Sequence, residues 1–467
     1  MRHSRSALFL FLFYNAVFIS STFSQLRLPA VLSSGMVLQQ KDSVTLWGWS
    51  APGSTVYITT GWNNSTDSAV TTDGATWKLK VVTPEAGGPF EISIRSEDTI
   101  RLTDVMVGEV WLCSGQSNME WNYNAGEKDI PAELSNPANP RIRFFQVPKS
   151  TSEYPQDDLK ANWVVCDSNS LKTITAVGYF FGKKIGNTLN VPVGIINSSW
   201  GGTPAEVWTP SELVSNDPQL LAAAEKVNKT SMWWPWMQGT TYNAMIAPLT
   251  NYNIAGALWY QGESNVNSHE TYAKLLTTMI DAWRKKWNKQ FPFYYVQIAP
   301  FNYSDSNING ALLQEAQTKV MSHPNVGMVV ISDLVDSVSN IHPSHKREVG
   351  NRLANWALSQ NYHQKGILYR SPEFEKAERK SNKVELIFAN VPTTLKSSDK
   401  TVKGFLISDA SGQFYPAEAK IRGNRITVWS KKVKEPAEVR YAFTNTLIGN
   451  VSSAEGLPLT PFRTGHL

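Results

Sequence analysis

VMVGEVWLCSGQSNMEW, residues 105–121, is where the character of the chain changes. It begins as an apolar run of strand length. At Ser114–Gly115 it breaks into a loop of small and polar residues. Upstream, residues 25–104 carry short runs rich in β-branched and aromatic residues: VTLWGWS, TVYITTGW, TWKLKVV and FEISIRS. The turn formers APGS, TTDG and PEAGG separate them, so this segment reads as a small β-sandwich domain. Downstream, from Val105 to about residue 365, apolar strands alternate with amphipathic helices. VPVGIINSSWGG, IAGALWYQGES, FPFYYVQIAP and VGMVVISDLVD are the further strand candidates. AVGYFFGKKIGNTL, TYAKLLTTMIDAWRKKW, ALLQEAQTKVMSH and HKREVGNRLANWALSQNY repeat apolar residues at helical spacing. Nearly all-apolar strands between helices predict an α/β domain, residues 105–365, with a parallel sheet covered on both faces. Residues 366–467 return to strands, in VELIFANV, VKGFLISDA, RITVWSK and EVRYAFTN, and predict a second β domain.

Residues 1–24 stand apart from this pattern. Arg2, His3 and Arg5 precede a mostly apolar stretch, Ala7–Ser20, and small residues follow it. This order predicts a cleaved signal peptide and a secreted or periplasmic protein. No later stretch is long and apolar enough for a membrane span. The net charge of +5 falls further once Arg2 and Arg5 leave, too small to point to nucleic acid. Two cysteines, Cys113 and Cys166, sit beside strand-like runs; an exported chain could pair them, and two buried thiols fit equally well. Neither CxxC nor HExxH occurs, so neither a metal nor a cofactor is expected.

Three loops of the α/β segment follow apolar strands and are dense in Gly, Ser, Asn and Gln. They are SGQSNMEW (114–121), SSWGGTPAEVW (198–208) and YQGESN (260–265). Ligands of parallel sheets bind at the carboxyl ends of the strands, which would gather all three at one edge. SNIHPSHK (339–346) could bring His342 to the same edge. A serine needs a base to act as a nucleophile, and its oxyanion needs fixed donors. Ser117, His342, and the backbone at Gly201–Gly202 supply those types. A Glu120/Glu263 pair would suit a glycosidase but leaves the serine and glycine loops unexplained. The run SMWWPWMQG, with Trp233, Trp234 and Trp236, reads equally as a sugar-stacking wall or a packed loop anchor.

GEVWLCSGQSNMEW, NSSWGGTPAEVW, WYQGESN and IHP before a helix resemble the sialate O-acetylesterase family, within the SGNH-type hydrolases. The resemblance extends over nearly the whole chain after the leader, including YNAMIAPL and the ending EGLPLTPFRT. It implies a flavodoxin-like core flanked by N- and C-terminal β-sandwich-like domains. It also implies Ser117 as nucleophile, His342 as general base, and the Ser117 and Gly202 N–H groups with Gln261 as oxyanion donors. The implied substrate is an O-acetylated sialic acid. Another acetylated glycan such as xylan is the alternative, and a non-catalytic sugar-binding protein is a second. One departure is visible. Many SGNH-type hydrolases carry an Asp two or three residues before the histidine, where this chain has Asn340 and Ser339. Asp333 or Asp336 could fold back to complete a triad, the enzyme could be slow, or a backbone carbonyl could orient the ring of a Ser–His dyad. The last is the preferred expectation.

Overall fold

At the centre of the computed structural model lies a sheet built on one long strand, β1 (Thr99–Gly115). The structure describes residues 25–227, 231–304 and 308–465; the expected leader, residues 1–24, lies outside them. The other strands of this sheet are β2 (Asn139–Gln146), β3 (Trp163–Cys166), β4 (Val193–Ser199), β5 (Gly256–Tyr260), β6 (Phe293–Val296) and β7 (Val326–Val329). Their order is β7-β6-β5-β1-β4-β2-β3, parallel throughout except for the β2–β3 pair. Without β2 and β3 this is the flavodoxin-like order, and its switch point falls between β1 and β5.

Side chains alternate across the sheet, as the pleat requires. Trp111 and Cys113 of β1 point to one core, and Val110 and Leu112 to the other. After the short helix α1 (Ser117–Glu120), four longer helices cover these two faces. The first face receives α2 (Ala176–Leu189) through Val177, Phe181 and Ile185, and α5 (Arg347–Gln360) through Val349, Leu353 and Trp356. The second receives α3 (His269–Trp287) through Leu276, Met279 and Trp283, and α4 (Asn309–Val320) through Leu313 and Val320. Among the described residues no helix is long and apolar enough to cross a membrane.

The boundary expected near residue 104 is crossed by β1 itself. Its first half pairs with Gly87–Arg95 of the N-terminal β region, and its second half is the centre of the main sheet. One strand thus joins both units. The C-terminal segment forms two four-stranded antiparallel sheets around a separate core that includes Val384, Leu386, Ile407 and Val439. Strands Glu373–Lys380 and Glu418–Arg422 in that domain were not evident in the sequence. Both are charged, and both pair at the outer edge of their sheet, where little apolar patterning is needed. Cys113 and Cys166 are free and buried. Burial pushes the Cys166 thiol up to about 12 and the Cys113 thiol higher still, so neither is a thiolate near neutrality.

Candidate active site

The register of the sheet explains why three distant sequence motifs meet. Gly115, the last residue of β1, is paired with Ser199 at the end of β4 and with Tyr260 at the end of β5. All three motif loops therefore leave the sheet at the same level, at its switch point. Gly115 has φ +131°, and a Cβ there would stand 2.3 Å from the Tyr260 carbonyl oxygen. Only glycine permits this close passage of β1 over β5.

Ser117 opens α1 immediately beyond this point. Its Oγ lies 2.8 Å from His342 Nε2. The Ser117 and Gly202 N–H groups have no hydrogen-bond partner among the described residues. Gly202 has φ +81°, and a Cβ there would meet the Trp234 ring at 2.2 Å. Beside it, the Gly201 N–H donates to Glu120 Oε2 at 2.8 Å, and Glu120 Oε1 pairs with Lys149 at 2.5 Å. The glycine loop is thus tied to the helix that carries Ser117. Ser264 Oγ donates to the Gly202 carbonyl at 2.9 Å and fixes the loop from the third motif. These are backbone donors held in place beside a serine–histidine pair, an arrangement suited to acyl transfer.

Gln261 is not one of those donors. It is fully buried, and its amide nitrogen donates to Thr203 O at 3.2 Å and Asn265 Oδ1 at 2.7 Å. Its Oε1 accepts from Tyr272 at 2.9 Å. With its amide engaged on both sides, Gln261 braces the second loop against the third and has no hydrogen left for an oxyanion.

Among the described residues no carboxylate reaches the imidazole. Asp333 is held in a two-pronged pair by Arg352, at 2.8 and 2.6 Å. Asp336 accepts from the Ser344 N–H and hydroxyl, with His345 3.6 Å away. Asn340 grips the backbone of His342: its Nδ2 donates to the His342 carbonyl at 2.8 Å, and its Oδ1 accepts the His342 N–H at 3.0 Å. No hydrogen bond to Nδ1 exists among the described residues, from a carboxylate or from the backbone carbonyl that a dyad was expected to use. Instead Trp121 stacks on the ring, with centroids 4.1 Å apart and planes 19° from parallel. Burial, reinforced by the nearby Lys346 ammonium, pushes His342 down to about 4. The imidazole is therefore neutral at ordinary pH and able to accept a proton.

Beneath the pair lies a buried polar network that the sequence did not reveal. Asn118 Nδ2 donates to Glu263 Oε1 at 2.6 Å and to the Ile341 carbonyl at 3.0 Å, and Asn118 Oδ1 accepts from Lys346 Nζ at 2.6 Å. One side chain thus joins the neighbour of Ser117 to the neighbour of His342. Lys346 is fully buried and pushed down to about 7, and burial raises the Glu263 carboxyl. Lys346 lies four residues after His342, at the N-cap of α5, and that proximity was the only sequence signal it offered. Glu263 is thereby a brace, and the Glu120/Glu263 pair is committed to other groups. His345 pairs with Asp129 at 3.2 Å, not with Ser117. Asn243 donates to the Ser152 and Glu153 carbonyls, and its own carbonyl accepts from the Gln156 N–H, so it anchors the 152–156 loop.

The tryptophan-rich run reaches the site. Trp234 lies against Gly202, and Trp200 Nε1 donates to the Trp233 carbonyl at 3.1 Å. Trp233 itself is 82% exposed.

Known proteins share this organisation. The family model described as carbohydrate esterase, sialic acid-specific acetylesterase matches residues 107–359. Human sialate O-acetylesterase is 31% identical over 439 residues, covering 84% of this chain and 82% of its own length. The sialate O-acetylesterase of Mus musculus is 30% identical, covering 75% of this chain and 76% of its own. A carbohydrate acetylesterase from Xanthomonas citri superposes with a TM-score of 0.86 at 33% identity, over 94% of this chain and 99% of the other. The chain belongs to the sialic acid-specific acetylesterase family of carbohydrate esterases and is a carboxylic ester hydrolase.

Proposed function

We propose that the protein is an exported serine esterase that removes O-acetyl groups from sialic acids through an acetyl-serine intermediate. The observation that carries this reading is the 2.8 Å contact between Ser117 Oγ and a neutral His342 Nε2, beside the two unpartnered N–H groups. Ser117 Oγ attacks the acetyl carbonyl carbon while His342 Nε2 takes the hydroxyl proton. Negative charge on the carbonyl oxygen is met by the N–H groups of Ser117 and Gly202. The tetrahedral intermediate collapses, the C–O bond to the sugar breaks, and His342 returns its proton to the sugar oxygen. Water, deprotonated by His342, then attacks the acetyl-serine; the acyl–Oγ bond breaks, His342 returns the proton to Ser117 Oγ, and acetate leaves. No carboxylate takes part. Stacking on Trp121 and the grip of Asn340 on the backbone orient the imidazole in its place.

A second reading of the substrate has its own support. The bacterial relative that matches nearly end to end is named a carbohydrate acetylesterase, without reference to sialic acid. Trp233 and Trp234 would offer stacking surface to any acetylated sugar.

Acetate release from 4-nitrophenyl acetate tests the chemistry, and O-acetylated sialoglycans compared with acetylated xylan test the substrate. The wild type should turn over the chromogenic ester, and Ser117→Ala should not. Retained turnover by Ser117→Ala would remove the serine from the mechanism. Preference for acetylated xylan would replace sialic acid as the substrate.

A further inference from the structure

A polar and aromatic cleft lies between the N-terminal β region and the α/β domain. Strands Ser43–Trp49 and Thr76–Val82 form a two-stranded ribbon in which Thr45 faces Lys80, Trp47 faces Lys78 and Trp49 faces Thr76. Alternation along the strands places these six side chains on one side. The opposite side, with Val44, Leu46 and Val81, is buried in the core. The first side lines two hollows of about 400 and 340 Å³. Both hollows share Lys78 of the ribbon with Asn251 and Lys286 of the α/β domain, so they form one cleft.

The two ends of the cleft differ in chemistry. The partly exposed Trp49 lines one end, with the buried Trp47 and Trp77 behind it, and Lys80, Lys286 and Lys289 line the other or its junction. Trp49 is held in place by Arg27, which lies 4.0 Å over one face of its ring. Two acids also line the cleft. Asp42 is neutralised by Lys289 at 2.8 Å, which leaves Asp157. Lys78 donates to Asn251 Oδ1 at 2.6 Å, and neither Lys80 nor Lys286 forms an ion pair among the described residues. Indole surface takes the apolar face of a pyranose, and ammonium groups take a carboxylate. The surplus of cations selects an anionic sugar over a neutral one.

The cleft is separate from the catalytic serine. Asn251 and Asn253 lie just before β5, and Lys286 and Lys289 lie at the far end of α3, so the cleft sits at the amino edge of the sheet, opposite the loop ends that carry Ser117.

We propose that this cleft binds carboxylated glycans, those bearing uronic or sialic acid, at a place apart from Ser117. The inference rests on the carbohydrate reading above. The shared chemistry of both sources is a pyranose with a ring carboxylate. The test uses the full chain after the leader, as Ser117→Ala, titrated calorimetrically with oligogalacturonate, with a sialylated oligosaccharide and with neutral xylo-oligosaccharide. At least one carboxylated ligand should bind, more weakly as salt rises, and at least tenfold tighter than the neutral one. Lys78→Gln with Lys286→Gln, and separately Trp49→Ala, should each weaken that binding at least tenfold. The same substitutions on the active enzyme should leave 4-nitrophenyl acetate turnover unchanged, which shows an intact fold. Equal binding of neutral and carboxylated ligands, or carboxylated binding indifferent to these substitutions, would overturn the proposal. Loss of chromogenic turnover in the wild type would instead overturn the esterase mechanism, so the two failures are distinguishable.

Discussion

Trp121 lies flat on the imidazole of His342, 4.1 Å between centroids, on the ring that contacts Ser117 Oγ through Nε2. An aromatic face thus supports the ring from one side, and no carboxylate meets its Nδ1 among the described residues. A stacked indole holds the plane of the ring but adds no full negative charge, so it orients the base without raising its basicity.

Removing that face should misplace the base. Trp121→Ala is expected to lower kcat on 4-nitrophenyl acetate on the order of 100-fold, as small misplacements of a reacting group do. KM should change far less, and Trp121→Phe should recover most of the loss. An unchanged kcat in Trp121→Ala would show that the ring needs no such support.

The two aspartates should be dispensable for chemistry. Asp333→Asn and Asp336→Asn are each expected to retain kcat within a few-fold of wild type. Asp333→Asn should cost stability, roughly 1 kcal/mol after allowance for its partial exposure, because Arg352 loses one of its two charged partners and keeps Glu348. Steady-state rates and denaturant midpoints measure the two effects separately. A drop in kcat for either variant on the scale of Ser117→Ala would restore a triad.

The acid limb of the pH profile should lie low. His342 is held near 4, below the ordinary imidazole value, because burial and Lys346 disfavour its charged form. Protonated His342 cannot accept the serine proton, so kcat/KM should rise as pH rises through about 4 and be level through neutrality. The same depression means that unfolded chains bind this proton more readily. Its effect on stability is a penalty below about pH 4 that fades as pH rises toward the unfolded value. Lys346→Met removes the repelling ammonium and should move the acid limb upward. A limb near 6.5 in the wild type would contradict the burial of the base.

Gly202 should tolerate no side chain. Gly202→Ala forces a β-carbon into the Trp234 ring and keeps φ at +81°. The left-handed conformation alone costs about 1–2 kcal/mol for an alanine. Turnover is expected to fall at least tenfold as the N–H leaves its position. Trp234→Ala in the same chain should relieve the clash and recover only part of the rate. Full activity of Gly202→Ala would remove this N–H from the oxyanion site.

Much of the fold was legible from local pattern. The run at 176–189 reads as a helix from its apolar spacing, and its bounds coincide with α2. The apolar strands between helices specify a parallel sheet, because only strands buried on both faces carry such runs. The motifs identified Ser117 and His342 as one site although 225 residues separate them. What sequence could not specify was which group completes each side chain's hydrogen bonding. Gln261 reads as a free donor in a catalytic motif, yet Thr203, Asn265 and Tyr272 already engage its amide. Asp333 reads as a possible third member, yet Arg352, 19 residues on, claims both oxygens. Trp121 reads as part of the motif, and only the approach of the 339–346 loop makes it the surface on which the base rests. Local pattern determines elements because propensity and burial repeat with each element's own period. The orientation of a catalytic base depends instead on polar and aromatic contacts between segments far apart in the chain, and these exist only once the sheet has brought the loop ends together.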